Sequence, residues 1–252
     1  CFINWKGVYG GRKSRGACKG MEEGLSGMSK VKICGLTEIR EAEIVNQYSA
    51  DYAGMVLFYP KSRRNLTIGK AKEIITVLSS NIKKVAVVVS PTVEQIKNCK
   101  EAGFDYIQIH GICTKEVLYQ SELPVFLAIN IGNGGIGEVM GHQKIIGYTL
   151  DGKVPGNGET FDWKLVKSFN RQGKLFMLAG GLTPENVAES IHILKPDIVD
   201  VSSGVEYKNG KGKDPEKISQ FIREVRKREE IGGKERWNGI MENLAGNMYQ
   251  NH

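Results

Sequence analysis

The strongest constraint on this chain is a register that repeats from Lys30 to Lys227: a short β-branched run, a loop of Gly, Ser, Thr or Pro, then a helical period. The runs are Val31–Cys34, Tyr52–Leu57, Lys84–Val89, Tyr106–Ile109, Val125–Ile129, Lys144–Thr149, Leu175–Ala179 and Ile198–Val201. Such short, nearly continuous apolar runs suit parallel strands buried on both faces. Helix starts lie between them: Thr37 before Glu38–Tyr48, Thr67 before Ile68–Leu78, Thr92 before Val93–Glu101, and the openings of Pro184–Leu194 and Pro215–Lys227. Thr114–Tyr119 is a shorter helix, Asp162 can cap Trp163–Phe169, and five glycines in Ile131–Gly141 oppose a regular helix. Eight strands alternating with helices predict an α/β fold, a (β/α)8 TIM barrel with its chemistry at the C-terminal strand ends.

Length agrees: 252 residues are a common size for one such barrel. The apolar runs are far shorter than the ~18 residues a bilayer span needs. The net charge of +7 is unevenly spread. Residues 1–29 hold five cations against Glu22 and Glu23, a local +3, and the remaining +4 suits an anionic small molecule. Arg223, Arg226, Lys227 and Arg228 fall at a helix end, where cations complement the macrodipole. Five cysteines form no paired framework and no metal-ligand spacing, which favours a reduced, cytoplasmic protein.

The division expected is an extension over 1–29, a barrel over 30–228 and a tail over 229–252. The extension is Gly- and cation-rich, without an apolar signal core, and translation is expected to begin at Met28.

The strand ends hold the candidates. Strand 1 ends on Cys34, which can be a small buried hydrophobe or, near a helix start, a thiolate. After strand 2, Lys61, Arg63 and Arg64 can clamp a carboxylate. Strand 4 ends on Gln108 and His110, read as scaffold residues. Asp162, after the glycine-rich loop Gly156–Gly158, can be a helix cap, a general acid or both. Strand 7 ends in Gly180 and Gly181, and strand 8 leads into Ser203 and Gly204 with room for a short helix over Ser203–Glu206. Small residues in these two loops let backbone N–H groups approach a phosphate.

These residues closely resemble the phosphoribosylanthranilate isomerase family of tryptophan biosynthesis. The matching segments are KICGLT at 32–37, FYPKSRR at 58–64, IQIHG at 107–111, GNGETFDW at 156–163, LAGGLTPENV at 178–187 and DVSSGVE at 200–206. The resemblance implies a cofactor-free, metal-free Amadori rearrangement of N-(5-phosphoribosyl)anthranilate, with Cys34 as general base and Asp162 as general acid. It further implies that Arg64 holds the anthranilate carboxylate, Asp200 contacts its amine, and Gly180, Gly181, Ser203 and Gly204 bind phosphate. Gln108 and His110 support the site. The expected partner is this small phosphorylated substrate rather than nucleic acid or membrane, with the chain a monomer or homodimer.

Four features depart from the family pattern: Val87–Val89 replace a segment with an aromatic, Glu159 replaces a lysine, glycines crowd 132–137, and an ungapped match puts Tyr148 where the sixth strand's Asp belongs. The histidine-pathway aminoaldose isomerase is a rival, but it resembles a pair of Asp residues at strands 1 and 5. Cys34 replaces the first, and Ile129-Asn130 supplies no second. A non-catalytic barrel binding phosphosugar or RNA is the other rival, and Cys34 with Asp162 argues against it.

Overall fold

The computed structural model describes residues 29–131, 141–151, 166 and 169–227. Eight parallel strands close into a barrel: β1 (Lys30–Cys34), β2 (Tyr52–Leu57), β3 (Lys83–Val89), β4 (Tyr106–His110), β5 (Val125–Asn130), β6 (Ile145–Asp151), β7 (Leu175–Leu178) and β8 (Ile198–Val201). Each pairs with its sequence neighbour, and β1 closes the ring by pairing with both β2 and β8. A two-residue strand, Asn65–Leu66, adds to the end of β2.

The helices α1 (Ile39–Gln47), α2 (Ile68–Val77), α3 (Val93–Glu101), α4 (Lys115–Gln120), α5 (Val187–Leu194) and α6 (215–227) follow β1 to β4, β7 and β8. Thr67, Thr92 and Thr114 cap α2, α3 and α4 through their hydroxyls, as expected. Two helix starts differ from the sequence reading. In α1 the cap is Glu38, because Glu41 folds back onto the Thr37 and Glu38 N–H groups while its other oxygen takes the Lys213 N–H. In α5 residues 184–186 form a turn, and Asn186 is spent on the preceding loop: it accepts from the Thr183 N–H and donates to the Gly181 carbonyl.

Side chains from β1 to β8 alternate between two cores. Outward-facing Val31, Ile33, Met55, Val88, Ile107, Leu178 and Val199 pack in the larger cluster with apolar side chains of the helices. The inward cluster is small: Tyr52, Val85, Val87, Phe126, Met177 and Ile198. Tyr52, Tyr106 and Phe126 meet edge-on or tilted, with ring centres 5.6–6.4 Å apart, and plug the barrel interior. Gly147 on β6 makes room for this plug, since a Cβ there would lie 2.8 Å from the Phe126 ring.

The foot of the barrel repeats one device. Asp51, Asp105 and Asp197 each precede a strand and accept the N–H of the second residue in the strand before it, at Val31 (2.8 Å), Lys84 (2.8 Å) and Phe176 (2.7 Å). These carboxylates satisfy buried donors and set the strand stagger.

Candidate active site

The C-terminal strand ends surround a cavity of about 450 Å³. Its wall brings together Cys34, Arg64, Gln108, His110, Gly180, Gly181, Asp200 and Ser203, eight of the ten residues expected at the site. Gly204 stands behind this wall. A Cβ there would collide with the Leu182 carbonyl, so its lack of a side chain lets the β7 and β8 loops touch. Asp162 lies outside the described residues. The expected helix after β8 is a single 3-10 turn, Ser203–Val205, too short to develop much dipole. Gly180 and Gly181 both have positive φ (84° and 64°), a backbone that side-chain-bearing residues resist.

Cys34 opens onto the cavity from β1. Two residues earlier, and therefore on the same face, Lys32 is completely buried and its Nζ lies 2.8 Å from Asp200 Oδ2. The pair sits in register across the β1–β8 seam. Burial opposes the charge on Lys32, yet Asp200 and Cys34 outweigh it and raise its pKa. Burial pushes the Cys34 thiol up; Lys32 and Lys213 pull it down, but not by as much. This differs from the expectation of a thiolate favoured by the nearby helix: α1 starts five residues later and opens with acidic Glu41.

Arg64 is held by a carboxylate the sequence reading left without a role. Glu206 is buried and receives Arg64 Nε at 2.7 Å, Lys213 Nζ at 3.2 Å, and Arg63 Nη2. Burial pushes Glu206 up, but the arginine and lysine overcome it and hold the carboxyl below its ordinary range. Lys213 also donates to the Ser202 carbonyl (3.0 Å), and Ser202 Oγ donates to the Cys34 carbonyl (3.0 Å). One network therefore runs from the arginine loop to the backbone of the cysteine.

His110 is neutral: burial, then repulsion from Lys32, pushes its pKa down to about 4. Its Nε2 accepts from Gln108 Nε2 at 3.0 Å. Among the described residues, three buried polar side-chain atoms lack a hydrogen-bond partner: Arg64 Nη2, Gln108 Oε1 and Asp200 Oδ1. All three residues line the cavity, and unsatisfied buried polar atoms are exceptions in a folded chain that call for a physical explanation.

The sixth strand corrects the sequence reading. It runs to Asp151, two residues past the expected end, because Leu150 and Asp151 continue the pairing with Ile129 and Asn130. Asp151 is buried and lines the cavity three strands around the barrel from Cys34. Tyr148, which the ungapped match had put there, is fully buried and packs edge-on against Phe169.

The sequence profile of N-(5'-phosphoribosyl)anthranilate (PRA) isomerase matches residues 31–224. The chain belongs to this isomerase family. The N-(5'-phosphoribosyl)anthranilate isomerase of Aquifex aeolicus is 41% identical over 204 residues, 79% of this chain and 99% of that one. The Streptococcus mutans isomerase is 38% identical over 79% of this chain and all of its own. The phosphoribosyl anthranilate isomerase structure from Thermotoga maritima superposes with a TM-score of 0.69 at 31% identity, covering 79% of this chain and 99% of that one. Another family structure, in complex with reduced 1-(O-carboxyphenylamino)-1-deoxyribulose 5-phosphate, superposes at 0.67 with 29% identity, covering the same 79% and 99%. As a phosphoribosylanthranilate isomerase, the chain interconverts an aldose and a ketose in tryptophan biosynthesis.

Four residues of the site escaped the sequence reading. Lys32 was available from its two-residue spacing to Cys34, and Glu206 from its motif. Asp151 was available from the family's sixth-strand Asp once the match is allowed a gap; Lys213 carried no signal of its own.

Proposed function

We propose that Cys34 is the general base and Asp151 the general acid of the isomerisation. The observation that carries this reading is that both side chains line one cavity with Arg64, Asp200 and the Gly180–Gly181 loop. Proton donation to the furanose ring oxygen breaks its bond to C1 and leaves an iminium there. The Cys34 thiolate takes the C2 proton; the C–H electron pair becomes the second C1–C2 bond and the iminium nitrogen is neutralised. The enolamine gains a proton at C1 and loses one from the C2 hydroxyl, giving the ketose. The iminium is the electron sink, and acid and base work in different settings of one site.

Arg64 Nη2 suits the anthranilate carboxylate, and Asp200 Oδ1 suits the anthranilate amine. The backbone at Gly180, Gly181, Ser203 and Gly204 suits the phosphate, with Gly204 also holding the two loops together. A reduced, cytoplasmic setting belongs to the same reading, supported by the free thiols of Cys34, Cys99 and Cys113.

The test follows anthranilate–ribose fluorescence for Cys34→Ala, Asp151→Asn and Asp162→Asn. Cys34→Ala and Asp151→Asn are expected to lower kcat by about a hundredfold or more, the usual range of acid–base contributions. Asp162→Asn is expected to stay within about tenfold. The reverse pattern for the two aspartates would move the acid role to Asp162, the residue the sequence resemblance favours. An active Cys34→Ala would remove the base.

A further inference from the structure

Removing the C2 proton requires a negative sulfur in a wall that desolvates it, and that is costly unless a positive charge lies close. The structure holds one. Lys32 Nζ and Cys34 Sγ converge on the same empty point above Gly54: a Cβ there would sit 3.0 Å from the nitrogen and 2.9 Å from the sulfur. The ammonium is fully buried and hydrogen-bonds Asp200. Its anchor is Asp200 Oδ2, at 2.8 Å, and Asp200 Oδ1 has no hydrogen-bond partner.

We propose that Lys32 is a positioning residue whose ammonium, fixed by Asp200 and admitted by Gly54, stabilises the Cys34 thiolate that abstracts the substrate proton. The inference rests on Cys34 being the base. The ammonium contacts no substrate atom; it acts through the sulfur and remains charged after proton transfer.

The other charges near Cys34 do not substitute for it. Lys213, from the segment after β8, is turned to Glu206 and the Ser202 carbonyl. Arg64, beside Gly35, is bound to Glu206. Asp200, on β8, opposes a thiolate; His110, on β4, is neutral; Asp151 is three strands away. On β2 the facing position is Gly54, which brings no charge.

The test compares wild type, Lys32→Met, Lys32→Arg and the charge-free pair Lys32→Met/Asp200→Asn in the full chain. Two readouts are used: the pH dependence of kcat/KM, and the pH dependence of Cys34 alkylation by iodoacetamide, located by peptide mass spectrometry. Lys32→Met is expected to move the Cys34 inflection up by a pH unit or more and to lower kcat at pH 7.5 by about tenfold or more. Lys32→Arg should recover part of both. The charge-free pair separates the proposal from simple neutralisation of Asp200. If Lys32 serves the sulfur, its inflection stays raised; if it serves only Asp200, the inflection returns to the wild-type value and the proposal falls. Unchanged inflections in Lys32→Met also overturn it. Should Cys34→Ala be fully active, the assignment of the base fails first, an outcome distinct from either.

Discussion

Cys34 and Gly54 face each other in register across β1 and β2, and the sulfur lies 2.9 Å from where any side chain on Gly54 would begin. Lys32 Nζ lies 3.0 Å from that same point, so a single missing methyl group accommodates both the thiol and its ammonium neighbour. Gly54→Ala is therefore expected to displace one of them and to lower kcat by at least about tenfold, within the range of acid–base effects. Steady-state kinetics beside a thermal melt checks this: a variant that melts well below wild type but keeps kcat would refute it.

Glu206 holds Arg64 by its Nε, leaving Nη2 without a hydrogen-bond partner. Glu206→Gln keeps the shape but removes the charge that orients the guanidinium. KM is expected to rise about tenfold with kcat within a few-fold, the signature of lost uniform binding. A loss confined to kcat would mean that Arg64 does not hold the carboxylate.

Gly204 presses against the Leu182 carbonyl with no room for a Cβ. Gly204→Ala should push the β7 and β8 loops apart and weaken anion binding. Inhibition by inorganic phosphate reads this directly, and its inhibition constant is expected to rise about tenfold or more. An unaltered constant would show that the phosphate site tolerates the separation.

The His110 imidazole, with its pKa pushed down from 6.5 to about 4, makes stability depend on pH. Between these values the unfolded chain binds the proton and the folded one does not, so stability is full above pH 6.5 and falls as pH drops toward 4. The loss from this one group is on the order of 3 kcal/mol. Urea melts at pH 7 and pH 4.5 should show a smaller acid loss in His110→Gln than in wild type. Equal losses would contradict a neutral buried imidazole.

At the other end of the barrel, Asp51 accepts the N–H of fully buried Val31. Asp51→Ala should cost about 1–2 kcal/mol by leaving that donor unmet. Because the residue is remote from the cavity, kcat and KM are expected to remain within about twofold. Chemical denaturation with a parallel assay checks both halves.

The barrel was legible because its signal is local and repeated. A strand buried on both faces must be apolar along its length, and Thr67, Thr92 and Thr114 announce their helices by satisfying N–H groups within three residues. Much of the cavity wall was legible for the same reason: a barrel exposes its strand ends, so naming the ends named Cys34, Arg64, His110 and Gly180. Asp151 was missed because the pairing that extends β6 comes from β5, not from β6's own composition.

Local sequence thus determined the element order, the parallel closed architecture and the residue types at the rim, each a consequence of short-range periodicity. Tertiary structure alone decided the electrostatics. Lys32 and Asp200 are 168 residues apart, Arg64 and Glu206 142, and only ring closure and the packing of the β2 and β8 loops join them. The charge a buried group carries depends on its nearest counter-charge, and in a closed barrel that neighbour is supplied across a seam the linear sequence does not mark.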